Sequence, residues 1–175
     1  MNQSRWLNLM KGAKLPGSIP CFEKLIAAYS EGHRYYHTGH HIDAMLRHLD
    51  QVSDLAEHPY EVELAIWFHD AIYKPFSSNN EEYSALWARE FLLNAGYNPR
   101  STERVYQLIM ATCNSHAPAS IDEKLIIDID LTILGASEET FDAYETQVRK
   151  EYRLVPLMIY QKKTQQAVKG FPVSG

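Results

Sequence analysis

The chain of 175 residues is 45% hydrophobic and 22% charged, which predicts one globular domain that can bury a substantial core. Its formal net charge of -5 and the lack of a basic run disfavour binding to a nucleic acid polymer. No apolar stretch approaches membrane-spanning length and residues 1–10 do not read as a secretory signal, so we expect a cytoplasmic protein without membrane association.

Apolar residues spaced three and four apart run through most of the chain and predict helices. Residues 1–20 should form a short helix followed by a loop marked by glycines and prolines. Further helices are predicted over residues 21–31, 41–57, 60–73, 80–95, 102–113 and 138–154, with a last one after Pro156. We expect a single domain over residues 1–175, with its core at about 22–160. Residues 1–20 and 165–175 are expected at its periphery.

Residues 122–134 fit two patterns. Every second residue from 127 to 133 is apolar, which is typical of a strand. In a helix, Asp130 would share one face with Ile126 and Leu134, and Gly135 would end that helix. We prefer the helix, because an isolated strand would have no partner among so many helices. The predicted fold class is therefore all-α, a single-domain helical bundle.

The predicted helix over residues 60–73 carries a His-Asp pair. Ala65, Ile66, His69 and Tyr73 recur on one face, so His69 lies on the apolar stripe and Asp70 at its edge. Burying an imidazole and a carboxylate costs free energy unless something pairs with them. An ordinary hydrogen bond between the two would suffice, and so would a buried metal ion.

His41 and Asp130 also occupy core-facing positions, on two other predicted helices. Four polar residues, counting His69 and Asp70, would then require a common partner inside the core. Imidazole and carboxylate ligands suit a divalent cation, with Mn, Fe, Ni, Co, Zn or Mg as candidates. A site of this kind leaves coordination positions open for water and substrate oxygens.

In this order, His41, then His69-Asp70, then Asp130, the residues resemble the HD superfamily of metal-dependent phosphohydrolases. The sequence around these residues resembles a bacterial branch of predicted HD-superfamily phosphohydrolases. The matching segments are residues 34–37, 41–42, 66–73, 80–85 and 130–135. The resemblance covers roughly residues 22–160 and implies an HD-type helical domain. Members usually carry a longer helical C-terminal end than residues 165–175 provide.

The resemblance implies that His41, His69, Asp70 and Asp130 bind the metal, with Asp70 able to bridge to a second ion. A metal-bound water would be the nucleophile, because the cation lowers its pKa. His37, one helical turn before His41, resembles the first histidine of the pair in cyclic-nucleotide phosphodiesterases. That likeness makes His37 the candidate general acid, a role that suits an imidazole near neutral pH.

Four other residues have less specific roles. Glu81 could hydrogen-bond the attacking water, or could simply place a negative charge at the start of a helix. Arg34 and Lys74 could each bind a phosphate. The alternatives are a salt bridge for Arg34 and a solvated position for Lys74, which is the preferred interpretation of Lys74. His116 could bind a second metal or a phosphate oxygen, or could be a surface histidine.

Residues 125–132 also mimic the nucleophile motif of haloacid-dehalogenase-like phosphatases. Asp128 would then attack phosphorus and Asp130 would act as acid and base. The motif lies too late in the chain, because few residues remain to build the crossovers of a parallel sheet. In the helical interpretation Asp128 could replace Asp130 as a ligand, but Asp130 lies on the apolar face and matches the family aspartate.

The resemblance thus implies a metal-dependent phosphohydrolase that cleaves a phosphate ester or anhydride. The substrate would be a nucleotide or another small phosphorylated molecule, and a homodimer is left open as the assembly. Two alternatives remain. One is a non-catalytic module of the same fold that binds a nucleotide or metal. The other is a helical interaction protein, in which the histidines and aspartates pair with each other and no metal binds.

Overall fold

The computed structural model describes residues 1–113 and 117–153. Its helices are α1 (Gln3–Gly12), α2 (Ile19–Tyr29), α3 (Gly39–Val52), α4 (Pro59–Phe68), α5 (Asn80–Asn94), α6 (Pro99–Ala111), α7 (Ile121–Asp130) and α8 (Glu138–Glu151). Short 3-10 segments, Ser53–Leu55 and Leu131–Gly135, follow α3 and α7. Within these residues no strand occurs, which confirms the all-α prediction. None of the described helices has the length and apolar character needed to cross a lipid bilayer.

The core is centred on α4, which is buried on nearly every side. From Glu61 to Phe68, Glu63 is the single residue that is not buried. A helix that is apolar all round belongs in the middle of a bundle, and α1, α3, α5, α6 and α7 all pack against it. The site described below lies where this central helix ends.

Residues 1–20 are not peripheral, contrary to the prediction. Trp6 and Met10 of α1 are fully buried, and the Trp6 ring meets the Trp67 ring edge-on with centroids 5.3 Å apart. The Trp6 indole N–H also donates to the Ser18 carbonyl at 2.9 Å. The prediction was wrong because Trp6, Leu9 and Met10 form a short apolar stripe that brings α1 into the core.

The predicted helix over residues 60–73 ends early, at Phe68. The His69 N–H still donates to the Ala65 carbonyl at 2.8 Å, and the chain then turns. Pro75 has no N–H to offer the Ala71 carbonyl, so the helix could not continue there with its hydrogen bonds intact. The Arg34 guanidinium donates to that carbonyl instead, at 3.1 Å. His69 and Asp70 therefore lie at a helix end rather than within a helix.

Other boundaries differ less. Residues 122–134 are helical, as preferred over the strand, although the α-helix ends at Asp130 and a 3-10 segment follows. The predicted helix over 102–113 begins earlier, at Pro99, with Asn98 as its N-cap. Of α8, Glu151 alone is buried. The helix expected after Pro156 and the predicted periphery at 165–175 lie outside the described residues.

Candidate functional site

Three helices bring two imidazoles and a carboxylate together. His41 lies in the first turn of α3, His69 directly follows α4, and Asp130 is the last residue of α7. One ligand atom from each lies within 4.8 Å of the other two, so this group could hold a metal ion. His41 Nε2 is 3.1 Å, and His69 Nε2 is 3.8 Å, from Asp130 Oδ1. Asp128, the alternative ligand, is exposed.

Asp70 faces the same imidazoles. Its Oδ2 atom lies 3.1 Å from His69 Nε2 and 3.9 Å from His41 Nε2. The structure therefore brings together all four residues that were predicted to bind metal. We refer to His41, His69, Asp70 and Asp130 as the His–Asp cluster.

Two nitrogens of the cluster are buried without an aligned hydrogen-bond partner among the described residues, namely Nε2 of His41 and Nε2 of His69. His69 Nδ1 lies 3.0 Å from the Ile66 carbonyl oxygen, to which it can donate a proton. With the proton on Nδ1, the Nε2 lone pair points into the cluster, which is the tautomer that a metal ligand needs. The donor set of two imidazoles and two carboxylates fits a divalent cation.

Electrostatics within the cluster favour positive charge. Burial by itself would lower the pKa of His69, but the Asp70 and Asp130 carboxylates outweigh it and raise that pKa to about 9. Burial would likewise raise the pKa of Asp70, yet the neighbouring imidazoles hold it far below its usual range. The carboxylates thus stabilise a cation, whether it is a proton on the imidazole or a metal ion.

Glu151, the last residue of α8, is a buried carboxylate for which the sequence pattern gives no signal. Its Oε1 atom accepts hydrogen bonds from the backbone N–H groups of Tyr35, Tyr36 and His37, at 2.7, 2.8 and 3.1 Å. Its Oε2 atom lies 2.6 Å from His37 Nδ1 and accepts the Tyr73 hydroxyl at 2.8 Å. Glu151 and His37 are 114 positions apart, so no local pattern could have linked them.

His37, the predicted general acid, lies beside the His–Asp cluster. Its ring centre is 6.1 Å from that of His41, and it stacks on Tyr73 with centroids 4.2 Å apart. Burial would lower the pKa of His37, but Asp70 and Glu151 raise it. Burial would raise the pKa of Glu151, whereas its hydrogen bond with His37 and those from the backbone lower that pKa to about 2. The two therefore form a charged pair.

Arg34 forms a salt bridge, which the sequence left open as the alternative to phosphate binding. Its side chain is fully buried, with 0% exposure, and donates to the backbone carbonyls of His37, Asp70 and Ala71 at 3.1, 2.7 and 3.1 Å. The remaining contact is with the Glu31 carboxylate at 3.0 Å. Four of its five N–H groups are thus used within the protein, and the salt bridge is the alternative that the structure shows. The role of Arg34 is to hold the loop before α3 against the turn after α4.

The remaining predicted residues are Glu81, Lys74 and His116. Glu81 is half-buried at the start of α5, where it faces the Cys113 thiol. Burial first, and Glu81 second, raise the pKa of that thiol to about 12. Within the described residues no hydrogen bond or ion pair joins Glu81 to the cluster, and Lys74 is exposed. His116 lies outside the described residues.

A cavity of about 790 Å³ begins at the cluster. It lies between α3, the 3-10 segment Leu131–Gly135 and α8, and His41 and Asp130 form part of its wall. A volume of this order is typical of sites for small molecules. A ligand in this cavity would therefore reach the imidazole and carboxylate groups directly.

A scan against models of known protein families gives no match, and neither curated proteins nor solved structures show significant similarity to the chain. The function must accordingly be argued from the residues of the site. That site consists of the His–Asp cluster, the His37–Glu151 pair and the adjoining cavity.

Proposed function

We propose that the protein is an HD-type, metal-dependent phosphohydrolase, which cleaves a phosphate ester or anhydride of a nucleotide or another small phosphorylated molecule. The observation that carries the proposal is the pair of buried Nε2 atoms of His41 and His69. Each lies 3.1 Å from a carboxylate oxygen, but neither has an aligned hydrogen-bond partner within the described part of the chain. Leaving such atoms unsatisfied in a core costs free energy. A divalent cation would satisfy both nitrogens and neutralise the two carboxylates beside them.

His41, His69, Asp70 and Asp130 are the residues that would hold the cation. When bound there, a divalent cation lowers the pKa of coordinated water and polarises a phosphoryl oxygen. The carboxylates of Asp70 and Asp130 also keep the site negative, so that it attracts the cation before substrate binds. The Ile66 carbonyl fixes the His69 ring through Nδ1, which aims Nε2 at the cluster.

His37 is the proposed general acid, which protonates the leaving oxygen. A general acid must hold its proton near neutral pH, and the raised pKa of His37 meets that need. Glu151 acts as the positioning residue, because its carboxylate contacts Nδ1 and leaves Nε2 as the nitrogen that meets a ligand. Tyr73 stacks on the ring and restricts its rotation.

A non-catalytic helical interaction protein is the second candidate, and one observation favours it. The pKa of His69, raised to about 9, is that of a protonated imidazole paired with carboxylates. Such a buried ion-pair cluster holds positive charge without any metal. The two candidates therefore make opposite predictions for the metal content of the protein.

Elemental analysis of the purified wild type and Asp70→Ala, each incubated with Mn²⁺ and then desalted, tests the proposal. We expect near-stoichiometric metal in the wild type, its loss in Asp70→Ala, and phosphate release from a panel of phosphorylated small molecules by the wild type alone. The His37→Ala variant should keep its metal and lose turnover by about 10²–10⁴-fold. Wild-type protein without metal would support the interaction protein instead, and full activity of Asp70→Ala would refute the mechanism.

A further inference from the structure

The cavity beside the His–Asp cluster has a wall with almost no fixed charge. Among the described residues that line it, Asp130 is the one carboxylate, and no lysine or arginine contributes. Lys150 lies close by, with its ammonium 5.8 Å from the Tyr35 ring centre, but does not line the cavity. Among the described residues that line the cavity, histidines are the only ones that can carry a positive charge.

Aromatic and apolar side chains form much of the wall. The Tyr36 ring lies 4.8 Å from the His41 ring and meets the Tyr144 ring edge-on at 4.6 Å. Met45 and Ile133 extend the apolar surface away from the cluster. Tyrosine rings in this arrangement can pack against a flat, uncharged group.

Neutral polar groups complete the far side of the wall. Thr140 and Gln147 of α8 line the cavity and are exposed. Hydroxyl and amide groups can donate to and accept from the hydroxyls of a sugar or a similar uncharged group. The cavity thus offers a cation-binding end at the cluster and an uncharged, partly aromatic remainder.

We propose that this site takes a phosphomonoester whose organic part is uncharged and carries a flat ring, of the kind found in a nucleoside monophosphate, in preference to a polyphosphate. The inference rests on the proposed function and narrows its substrate class. All the negative charge of a phosphomonoester would lie at the His–Asp cluster. A triphosphate with its terminal phosphate at the cluster would leave further negative charges against a wall without lysine or arginine in the described residues, which costs desolvation energy without compensation.

The reaction of such a substrate balances simply. The oxygen of a water molecule forms a bond to phosphorus while the ester P–O bond breaks. The leaving oxygen takes the proton of His37, the water loses one proton to solvent, and His37 then regains a proton from solvent. The products are the free alcohol and inorganic phosphate.

Binding of two slowly hydrolysed probes tests the inference. Adenosine 5′-O-thiomonophosphate and adenosine 5′-O-(3-thiotriphosphate) are titrated calorimetrically into the full chain with Mn²⁺ in excess. We expect the monophosphate to bind about tenfold more tightly or better, since unpaired charge against the wall should cost at least the corresponding free energy. Steady-state hydrolysis of the natural monophosphate and triphosphate should give the same preference in kcat/KM.

Two variants on α8 locate the binding site, with Thr146 as the control position because it is exposed and does not line the cavity. Ala143→Phe fills part of the cavity and should weaken the monophosphate probe by about fivefold or more, whereas Thr146→Phe should not. Gln147→Lys adds a cation to the wall and should strengthen triphosphate binding more than monophosphate binding. Thr146→Lys should leave the ratio of the two dissociation constants unchanged.

The outcomes separate failure of this inference from failure of the proposed function. If the metal-loaded protein binds the triphosphate as tightly as the monophosphate, the substrate class is wrong while the phosphohydrolase proposal stands. If Ala143→Phe binds the monophosphate like the wild type, the cavity is not the site and the inference is overturned. If the protein takes up no metal and binds neither probe, the proposed function fails and the inference fails with it.

Discussion

Two groups of buried charge lie side by side in this protein and differ in one respect. The Glu151 carboxylate accepts five hydrogen bonds, from three backbone N–H groups, His37 and Tyr73. In the His–Asp cluster, by contrast, two buried imidazole nitrogens have no aligned partner in the described residues. A buried charge whose bonds are complete is explained by the structure it holds together. A buried group whose bonds are incomplete can be completed by a ligand, which is why the cluster supports the proposed metal site.

Arg34 connects the two groups. It donates to the carbonyl oxygen of His37, beside Glu151, and to those of Asp70 and Ala71, beside the cluster. Its ring neighbours are Tyr29 and Tyr73, with its guanidinium carbon 5.2 and 5.4 Å from their ring centres. Substitutions in the His–Asp cluster should therefore weaken metal binding. Substitutions of Arg34 and Glu151 should instead lower the free energy of unfolding.

The largest expected effect is on metal binding. Asp130→Ala should lower the affinity for Mn²⁺ by about a hundredfold or more, because loss of a ligand exceeds the loss of an outer hydrogen-bond partner. Asp128→Ala changes an exposed aspartate of the same helix and should bind metal like the wild type. Competition titration with a metal-sensitive dye measures both, and equal affinities in the two variants would contradict the comparison.

Glu151→Ala should chiefly affect stability. Removing this carboxylate leaves His37 and three backbone N–H groups without their partner, which should lower the free energy of unfolding by about 3–5 kcal/mol. Glu145→Ala, at an exposed position of the same helix, should change it by about 0.5 kcal/mol or less. Urea unfolding followed by circular dichroism provides the measurement. A Glu151→Ala protein as stable as the control would show that the bonds at Glu151 contribute little.

A smaller loss of stability is expected from Arg34→Lys. One ammonium cannot reach the carbonyls and the carboxylate that the planar guanidinium contacts, so the free energy of unfolding should fall by about 1–3 kcal/mol. Arg47→Lys, at an exposed position of α3, serves as the control and should be nearly neutral. The same urea titration decides between them. If the two variants had the same free energy of unfolding, Arg34 would not be a charge that stabilises the fold.

The pH dependence of stability should be the mildest effect, because a protonated Glu151 can still accept some of its hydrogen bonds. The pKa of Glu151 is lowered from its ordinary 4.5 to about 2, so its contribution is present above pH 4.5 and is lost as the pH falls toward 2. The pKa of His37 is raised above 6.5, so its contribution is present below pH 6.5 and is lost as the pH rises through the higher value.

The difference in unfolding free energy between wild type and Glu151→Gln, measured from pH 2 to pH 9, isolates this pair. It should be largest between about pH 4.5 and 6.5 and decline on either side. A difference that stays constant across this range would mean that the two groups do not form a charged pair.

The helices could be predicted from the sequence wherever their signals are local. Apolar spacing located α2 to α8, and the lack of a partner for an isolated strand favoured the helix in residues 122–134. The end of α4 could not be predicted, because it depends partly on Arg34, whose bond to the Asp70 carbonyl joins residues 36 positions apart. The sequence also left open whether Arg34 binds a phosphate or forms a salt bridge, because its charge is visible in the sequence and its acceptors are not.

The four residues of the His–Asp cluster could be predicted from the sequence, whereas Glu151 could not. His41, His69, Asp70 and Asp130 could be selected because each is polar at an otherwise apolar helical position or matches the HD pattern, and the structure brings them together. Glu151 resembled any other charged residue of α8. Its burial depends on the loop before α3, which lies far away in sequence, so spacing carries no signal for it.

The position of Glu151 at the end of α8 limits the insertions and deletions that this helix can tolerate. α8 both lines the cavity and ends in the carboxylate that holds the loop bearing His37. Inserting one residue between Ala143 and Glu151 would turn the end of the helix by about 100°, because an α-helix has about 3.6 residues per turn. The α8 residues that line the cavity and the carboxylate that holds the His37 loop would then no longer face their present neighbours at the same time. Substitutions along α8 can reshape the cavity one side chain at a time, whereas insertions and deletions there would also displace His37 relative to the cavity.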